Sequence, residues 1–162
     1  MAEHIIHEVI DFLQNKVSNE FIVFVISMMP ILELRGGLIA AALLNIDWVV
    51  AFPICVIGNM LPIPFELLFI RKIFNALKKL DWMKKIINKL DERAKEKANS
   101  KTMQKYAVWG LFTLVAIPLP GTGAWTGGLV ADILDMRFKI AFPIITVGVI
   151  VAGLITSLVF LI

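Results

Sequence analysis

The sequence predicts an all-α integral membrane protein made of two inverted repeats, each a re-entrant helical hairpin plus a transmembrane helix. Three observations predict it. Composition comes first: 59% of the 162 residues are hydrophobic and the mean hydropathy is +0.83, well above a soluble globular domain. An internal repeat is the second. AFPICVIG at Ala51–Gly58 returns as AFPIITVG at Ala141–Gly148, and PILELRGGLIA at Pro30–Ala40 has a counterpart in PLPGTGAWTGGLVA at Pro118–Ala131. Third, each half holds one apolar stretch broken by Pro and Gly and one unbroken stretch. Interrupted apolar segments at matching places in two halves are the best sequence pointer to a transporter binding site.

Residues 1–18 form the N-terminal element, an amphipathic helix with Ile6, Val9 or Ile10, Leu13 and Val17 at helical spacing. Ser18 or Asn19 is placed to cap the next helix. Glu3, Glu8 and Asp11 stand where a cleavable signal peptide would carry basic residues. His4, His7, Glu8 and Asp11 share one face at a spacing open to metal. Two His near a terminus specify metal weakly, so a solvated polar face is the expectation.

Residues 19–70 are the first repeat. Phe21 to Leu44 is apolar apart from Glu33 and Arg35, and Pro30 with Gly36-Gly37 divides it into two pieces. Each piece has about ten residues, or half a bilayer at about 1.5 Å per residue. Residues 106–162, the second repeat, follow suit: Tyr106–Ile117, then PLPGTG, then a short arm Ala124–Leu134. Pro118 and Pro120 lack backbone donors and bar a continuous helix. Trp48–Ile70 and Phe138–Ile162, at 23 and 25 residues, are long enough to span outright.

Between the repeats, residues 71–105 carry twelve of the sixteen basic residues against Asp81, Asp91, Glu92 and Glu96, a local charge of +8. Ile73, Leu77, Leu80, Met83, Ile87, Leu90 and Ala94 recur every three or four positions, which predicts a helix, and Asp81 is a candidate cap. A basic amphipathic helix set between membrane segments suits anionic lipid headgroups and argues against nucleic acid. The positive-inside rule makes it cytoplasmic. If both broken segments turn back, Arg137 and Lys139 also return to the cytoplasm and Lys16 alone stays outside. Each repeat then crosses once and the two are inverted. The whole chain reads as one membrane domain.

Arg35 is the leading candidate for chemistry. A guanidinium is a planar fork suited to phosphate or carboxylate, and intramembrane charges are functional by default. Glu33 would be its charge partner or a proton carrier. The arm after Gly121-Thr122-Gly123 begins a helix, whose free N–H groups also favour an anion. Gly36 and Gly37 would let a ligand or the opposing tip approach. Against this, Glu33 and Arg35 could simply neutralise each other and pin the tip. Residues two apart on a helix do not face each other, so a direct pair needs a non-helical turn. Trp125, at the second tip, either gates a cavity or packs beneath the first tip. Glu66 and Asn59 are secondary, ion-coupling candidates. Their plainer reading has Glu66 reaching the interface and Asn59 bonding a neighbouring helix.

The rest reads as packing. Gly148, Ala152 and Thr156 form a small-residue stripe, Trp48 and Trp109 suit the two membrane interfaces, and the lone Cys55 lies in an apolar run. No enzymatic constellation is present. There is no Cys/His metal spacing and no Walker sequence, and a hydrolase would need a base near Ser27 or Thr126 while both His lie outside. Neither an enzyme nor a cofactor is expected.

The stretches ELRGGLIAA (Glu33–Ala41) and PLPGTGAWTGGL (Pro118–Leu129), in so short a chain, resemble the prokaryotic small multidrug export proteins. That family is similar in plan to the DedA (SNARE-associated, VTT) membrane proteins. The resemblance runs from about Phe21 onward. It implies paired re-entrant hairpins in the prokaryotic cytoplasmic membrane, moving a phosphate-bearing lipid such as undecaprenyl phosphate, coupled to an ion. Alternatives are export of small amphipathic solutes and a non-transport scaffold that recruits a partner through 71–105. DedA-like proteins are expected to carry charges in both hairpins, whereas residues 118–130 have none. The expected substrate site is Glu33, Arg35, Gly36 and Gly37 facing Pro118, Pro120, Gly121, Thr122, Gly123 and Trp125. So few segments hardly shield two charges and several broken backbones from lipid, which predicts at least a homodimer.

Overall fold

A computed structural model describes residues 2–14, 16–69, 101–119 and 122–161. Its helices are α1 (Ala2–Leu13), α2 (Asn19–Met28), α3 (Glu33–Leu43), α4 (Trp48–Met60), α5 (Lys101–Ala116), α6 (Ala124–Ile133) and α7 (Phe138–Leu161). Among the described residues all regular structure is helical. The basic linker helix expected over 71–105 lies outside the described residues, apart from its last five positions, which open α5.

α1 buries Ile6 and Ile10 against α2 and α3, as its periodicity requires. Its polar face stays in solvent, with His4 Nδ1 3.4 Å from Glu8 Oε1. Among the described residues no group of three or more His, Cys, Asp or Glu is placed to hold a metal ion.

Ser18 caps α2, its hydroxyl accepting from the Phe21 amide at 3.4 Å. α2 then stops after ten residues because Pro30 follows. The residue before a proline is driven out of the α region, and Met29 is extended at φ −71, ψ 132. The chain turns over Met29–Leu32, with the amides of Leu32 and Glu33 both donating to the Met29 carbonyl, and α3 begins. The break expected at Gly36-Gly37 is absent. Gly36 and Gly37 do not help to break the segment; they lie inside α3. Their role there is contact: a Cβ on Gly37 would come within 2.8 Å of Cys55 Sγ and collide with the Ser27 hydroxyl. A double glycine reads locally as a turn, but here it lets α3 close onto α2 and α4.

The second half repeats the first at residue resolution. α3 ends with the Ile46 amide on the Ala41 carbonyl and the Asn45 amide on Ala42; α6 ends with Met136 on Ala131 and Asp135 on Asp132. Asn45 and Asp135, at the same place in the two motifs, have φ 54 and φ 50. This is one helix-ending motif used twice. α2, α3 and α4 pack on one another, as do α5, α6 and α7, and the trios meet where α7 touches α3 and α4. In both trios two glycines of different helices clasp one residue. Gly37 and Gly58 close on Ser27, while Gly127 and Gly148 close on Val115.

Two helical spans are long and apolar enough to cross a membrane: Trp48–Phe69, with α4 resuming over 63–69 after a turn at Pro62, and Phe138–Leu158. Within the 18-residue apolar window of either span only 33% is buried inside the protein, which leaves much of each span facing outward, as lipid-facing helices require. Trp48 Nε1 donates to Ser157 Oγ at 2.7 Å, and the Phe52 ring lies against Gly153. As α4 advances by a turn, its partner on α7 retreats by one. The two spans therefore run antiparallel.

Candidate functional site

The two broken tips meet. Arg35 is in the first turn of α3, because the turn at Met29–Leu32 ends three residues before it. Its Nη2 donates to the Thr122 backbone carbonyl and lies 3.4 Å from Thr122 Oγ1. Thr122 is itself tied into the second tip: its hydroxyl accepts from the Leu119 amide at 3.2 Å and lies 2.8 Å from the Ile117 carbonyl. Pro118 is at the base of that loop and partly buried; Pro120 and Gly121 lie outside the described residues.

Glu33 crosses to the same partner. Its carboxylate accepts from the backbone amide of Trp125, in the first turn of α6, where free amides favour negative charge. The carboxylate sits where a side chain on Gly123 would be, so any other residue at 123 would push it off. Glu33 has φ 52, a left-handed conformation that side chains adopt at a cost of about 1–2 kcal/mol. Glu33 and Arg35 couple electrostatically while each bonds to the opposite hairpin. The non-helical turn that the sequence reading required for a pair is present, and it aims both charges across the interface.

Behind the tips, Glu33, Arg35, Asn59, Val115, Gly123 and Val149 line a cavity with about 10 Å³ of room for the centre of a water. That is roughly what one water needs. Asn59 is 1% exposed and its Oδ1 has no hydrogen-bond partner among the described residues; Trp125 Nε1 is likewise buried without one among them. Among the described residues the two tips are in direct contact through Arg35 and Glu33.

Of the expected site residues, Glu33, Arg35, Thr122, Gly123 and Trp125 come together, and Asn59 lines the cavity behind them. Gly36 and Gly37 face the interior of their own repeat. Glu66 does not line this cavity; it is buried against Gly128 of α6. Sequence reasoning passed over Asp132, which lies one turn after Gly128 and acts electrostatically on Glu66. Its signal was available: an ionisable residue in the short arm of a broken segment, just beyond the uncharged stretch 118–130.

The model of a protein family described as "Putative small multi-drug export protein" matches residues 33–155. No curated protein and no solved structure matches the chain. The family match covers more than half of the chain, including Glu33 and Arg35, the second tip and nearly all of both spans. With two apolar helices of spanning length, the protein is a membrane protein.

Proposed function

The chain belongs to the small multi-drug export protein family, and on that premise we propose a transporter whose site lies at two facing re-entrant hairpins. Its preferred substrate is an anionic, phosphate-bearing lipid of the undecaprenyl phosphate kind, moved by an ion-coupled mechanism. One observation carries this reading: Arg35 and Glu33 of one tip are held by the backbone of the other, between two antiparallel spans. Charges are kept at such a place only when something uses them.

The closed contacts suggest how a phosphate would engage. Glu33 already plays the anion at the N-terminus of α6, and the Thr122 carbonyl already plays the acceptor for Arg35. A phosphate entering between separated tips would replace both, taking the guanidinium fork on one side and the α6 amides on the other. The lipid tail would lie along the outward apolar faces of the spans. In this scheme the repeats are inverted, residues 71–105 are cytoplasmic, the membrane is the prokaryotic cytoplasmic one, and a homodimer shields the broken backbones.

Reconstitution into liposomes with a lipid-phosphate probe and a cationic amphipathic probe, run in parallel, tests the proposal. Lipid-phosphate flux that falls at least about tenfold in Arg35→Lys is expected, because lysine keeps the charge but loses the fork. Flux of the cationic probe alone would favour the second reading, amphipathic solute export. The family description and the acidic residues Glu33, Glu66 and Asp132 speak for that alternative. Flux of neither probe by correctly inserted protein would leave the scaffold reading.

A further inference from the structure

Glu66 takes no part in the tip contacts. It lies on the 63–69 continuation of α4 and is 7% exposed, and neither carboxylate oxygen has a hydrogen-bond partner among the described residues. Those oxygens lie 2.6 and 3.0 Å from where a Cβ on residue 128 would stand. Gly128 therefore makes the socket into which the carboxyl group fits. Asp132 is four residues further along α6, on the same face, and it acts on Glu66, as does Glu33 from α3. Among the described residues, the charged groups that act on Glu66 are thus both acidic.

An ionised carboxylate in such a socket has no donor to replace lost water, and its neighbours repel it. A metal ion would relieve the repulsion but needs several oxygen ligands, and among the described residues no cluster of suitable size exists. A proton needs only one oxygen. We infer that Glu66 holds an exchangeable proton while packed against Gly128 and releases it when α6 moves off the 63–69 segment. In the release step the carboxyl O–H bond breaks, its electron pair stays on the carboxylate, and an entering water takes the proton.

Position gives this site its consequence. Gly128 and the amide that holds Glu33 belong to the same ten-residue helix, α6. A neutral Glu66 lets α6 dock, and docking sets the α6 N-terminus on Glu33 and thereby closes the tips. Ionisation of Glu66 favours undocking, which would expose Arg35 and the α6 amides together. The proton site stands without the transport reading; its use as the coupling ion rests on that reading.

Infrared difference spectroscopy of the full chain in lipid nanodiscs, between about pH 5 and about pH 9, tests it. A protonated-carboxyl band that vanishes as the pH rises is expected in the native protein and in Glu33→Gln, and should be missing from Glu66→Gln. Glu66→Asp, which pulls the carboxyl back from Gly128, should keep the band and move the pH at which it vanishes. That second variant decides the matter should Glu66→Gln fail to assemble. A band that survives in Glu66→Gln, one unmoved by Glu66→Asp, or none in the native protein overturns the assignment. In liposomes, the band without flux of either probe would refute transport and spare the proton site. Flux with the same pH profile in native protein and Glu66→Gln would refute the coupling role.

Discussion

Val115 is clasped between Gly127 of α6 and Gly148 of α7, and small steps there should be costly. A Cβ on Gly127 would stand 2.5 Å from Val115 Cγ2, and one on Gly148 2.8 Å from Val115 Cβ. Gly127→Ala and Gly148→Ala should each destabilise the protein by roughly 1–3 kcal/mol, the range for overpacking a tight contact. Val115→Ala should recover part of that loss. Gly110 has nothing within 4 Å of its absent Cβ and lies inside α5, so Gly110→Ala should be neutral or add about 0.5–1 kcal/mol. Thermal unfolding in detergent micelles measures all four variants, and equal losses at Gly110 and Gly148 would contradict the packing account. Glu33 invites a different test. If its carboxylate stands in for a substrate anion at α6, Glu33→Gln weakens the internal competitor at a cost of about 0.3–1 kcal/mol in stability. Glu33→Gln should therefore bind a lipid-phosphate probe more tightly than the native chain, and Arg35→Gln should bind it more weakly. Equilibrium binding in nanodiscs gives both affinities, and a weaker Glu33→Gln would make Glu33 a direct ligand or a support for Arg35.

At the scale of elements, the two halves share their helix endings more closely than their tips. Leu44-Asn45-Ile46 and Leu134-Asp135-Met136 make the same pair of reversed hydrogen bonds around one left-handed residue. Asn45→Gly and Asp135→Gly should be neutral or stabilising by up to about 1 kcal/mol. Asn45→Val and Asp135→Val should each cost at least about 1–2 kcal/mol, since a branched side chain tolerates that conformation poorly. Matching responses at the two sites, again read by thermal unfolding, are the expected outcome, and a response at only one would mean that the two endings are not equivalent. Much of this level was legible in the sequence. Pro30 and Pro118 mark the breaks through local backbone chemistry, and AFPI at 51 and 141 marks the start of each span. Arg35 was legible as a charge that lipid would not tolerate unattended. The left-handed turn that aims Glu33 across the interface was not, because no residue there demands positive φ; tertiary contact imposes it. Gly36-Gly37 misled for the complementary reason, since a glycine pair looks alike whether it frees a turn or opens a contact. The Glu66–Gly128 socket joins residues far apart in the chain, and no periodicity reports such a pairing.

For the molecule as a whole, the arrangement of the two trios bears directly on how the chain threads the membrane. α2 and α3 have ten and eleven residues, about 15–17 Å each, roughly half of a hydrocarbon core. Laid end to end they could span; folded back they could not. Collinear halves would touch only at their junction, whereas α2 and α3 pack on each other and α1 packs on both. That favours folding back, and the antiparallel spans agree: one crossing per repeat requires the two long helices to run in opposite directions. Two full crossings per repeat would set them parallel, because an even number of passes separates Trp48 from Phe138. The expected labelling follows. Asp47 and Arg137 are exposed, equivalent positions just ahead of the two spans. In a chain with its lone Cys55 replaced by Ala, Asp47→Cys should react with a membrane-impermeant thiol reagent from outside. Arg137→Cys should react only after the membrane is opened. Labelling of both from one side would mean that the hairpins cross fully. The facing tips would then be a junction between two ordinary helix pairs, and Arg35 would need a reason to be there other than a site reached alternately from either face.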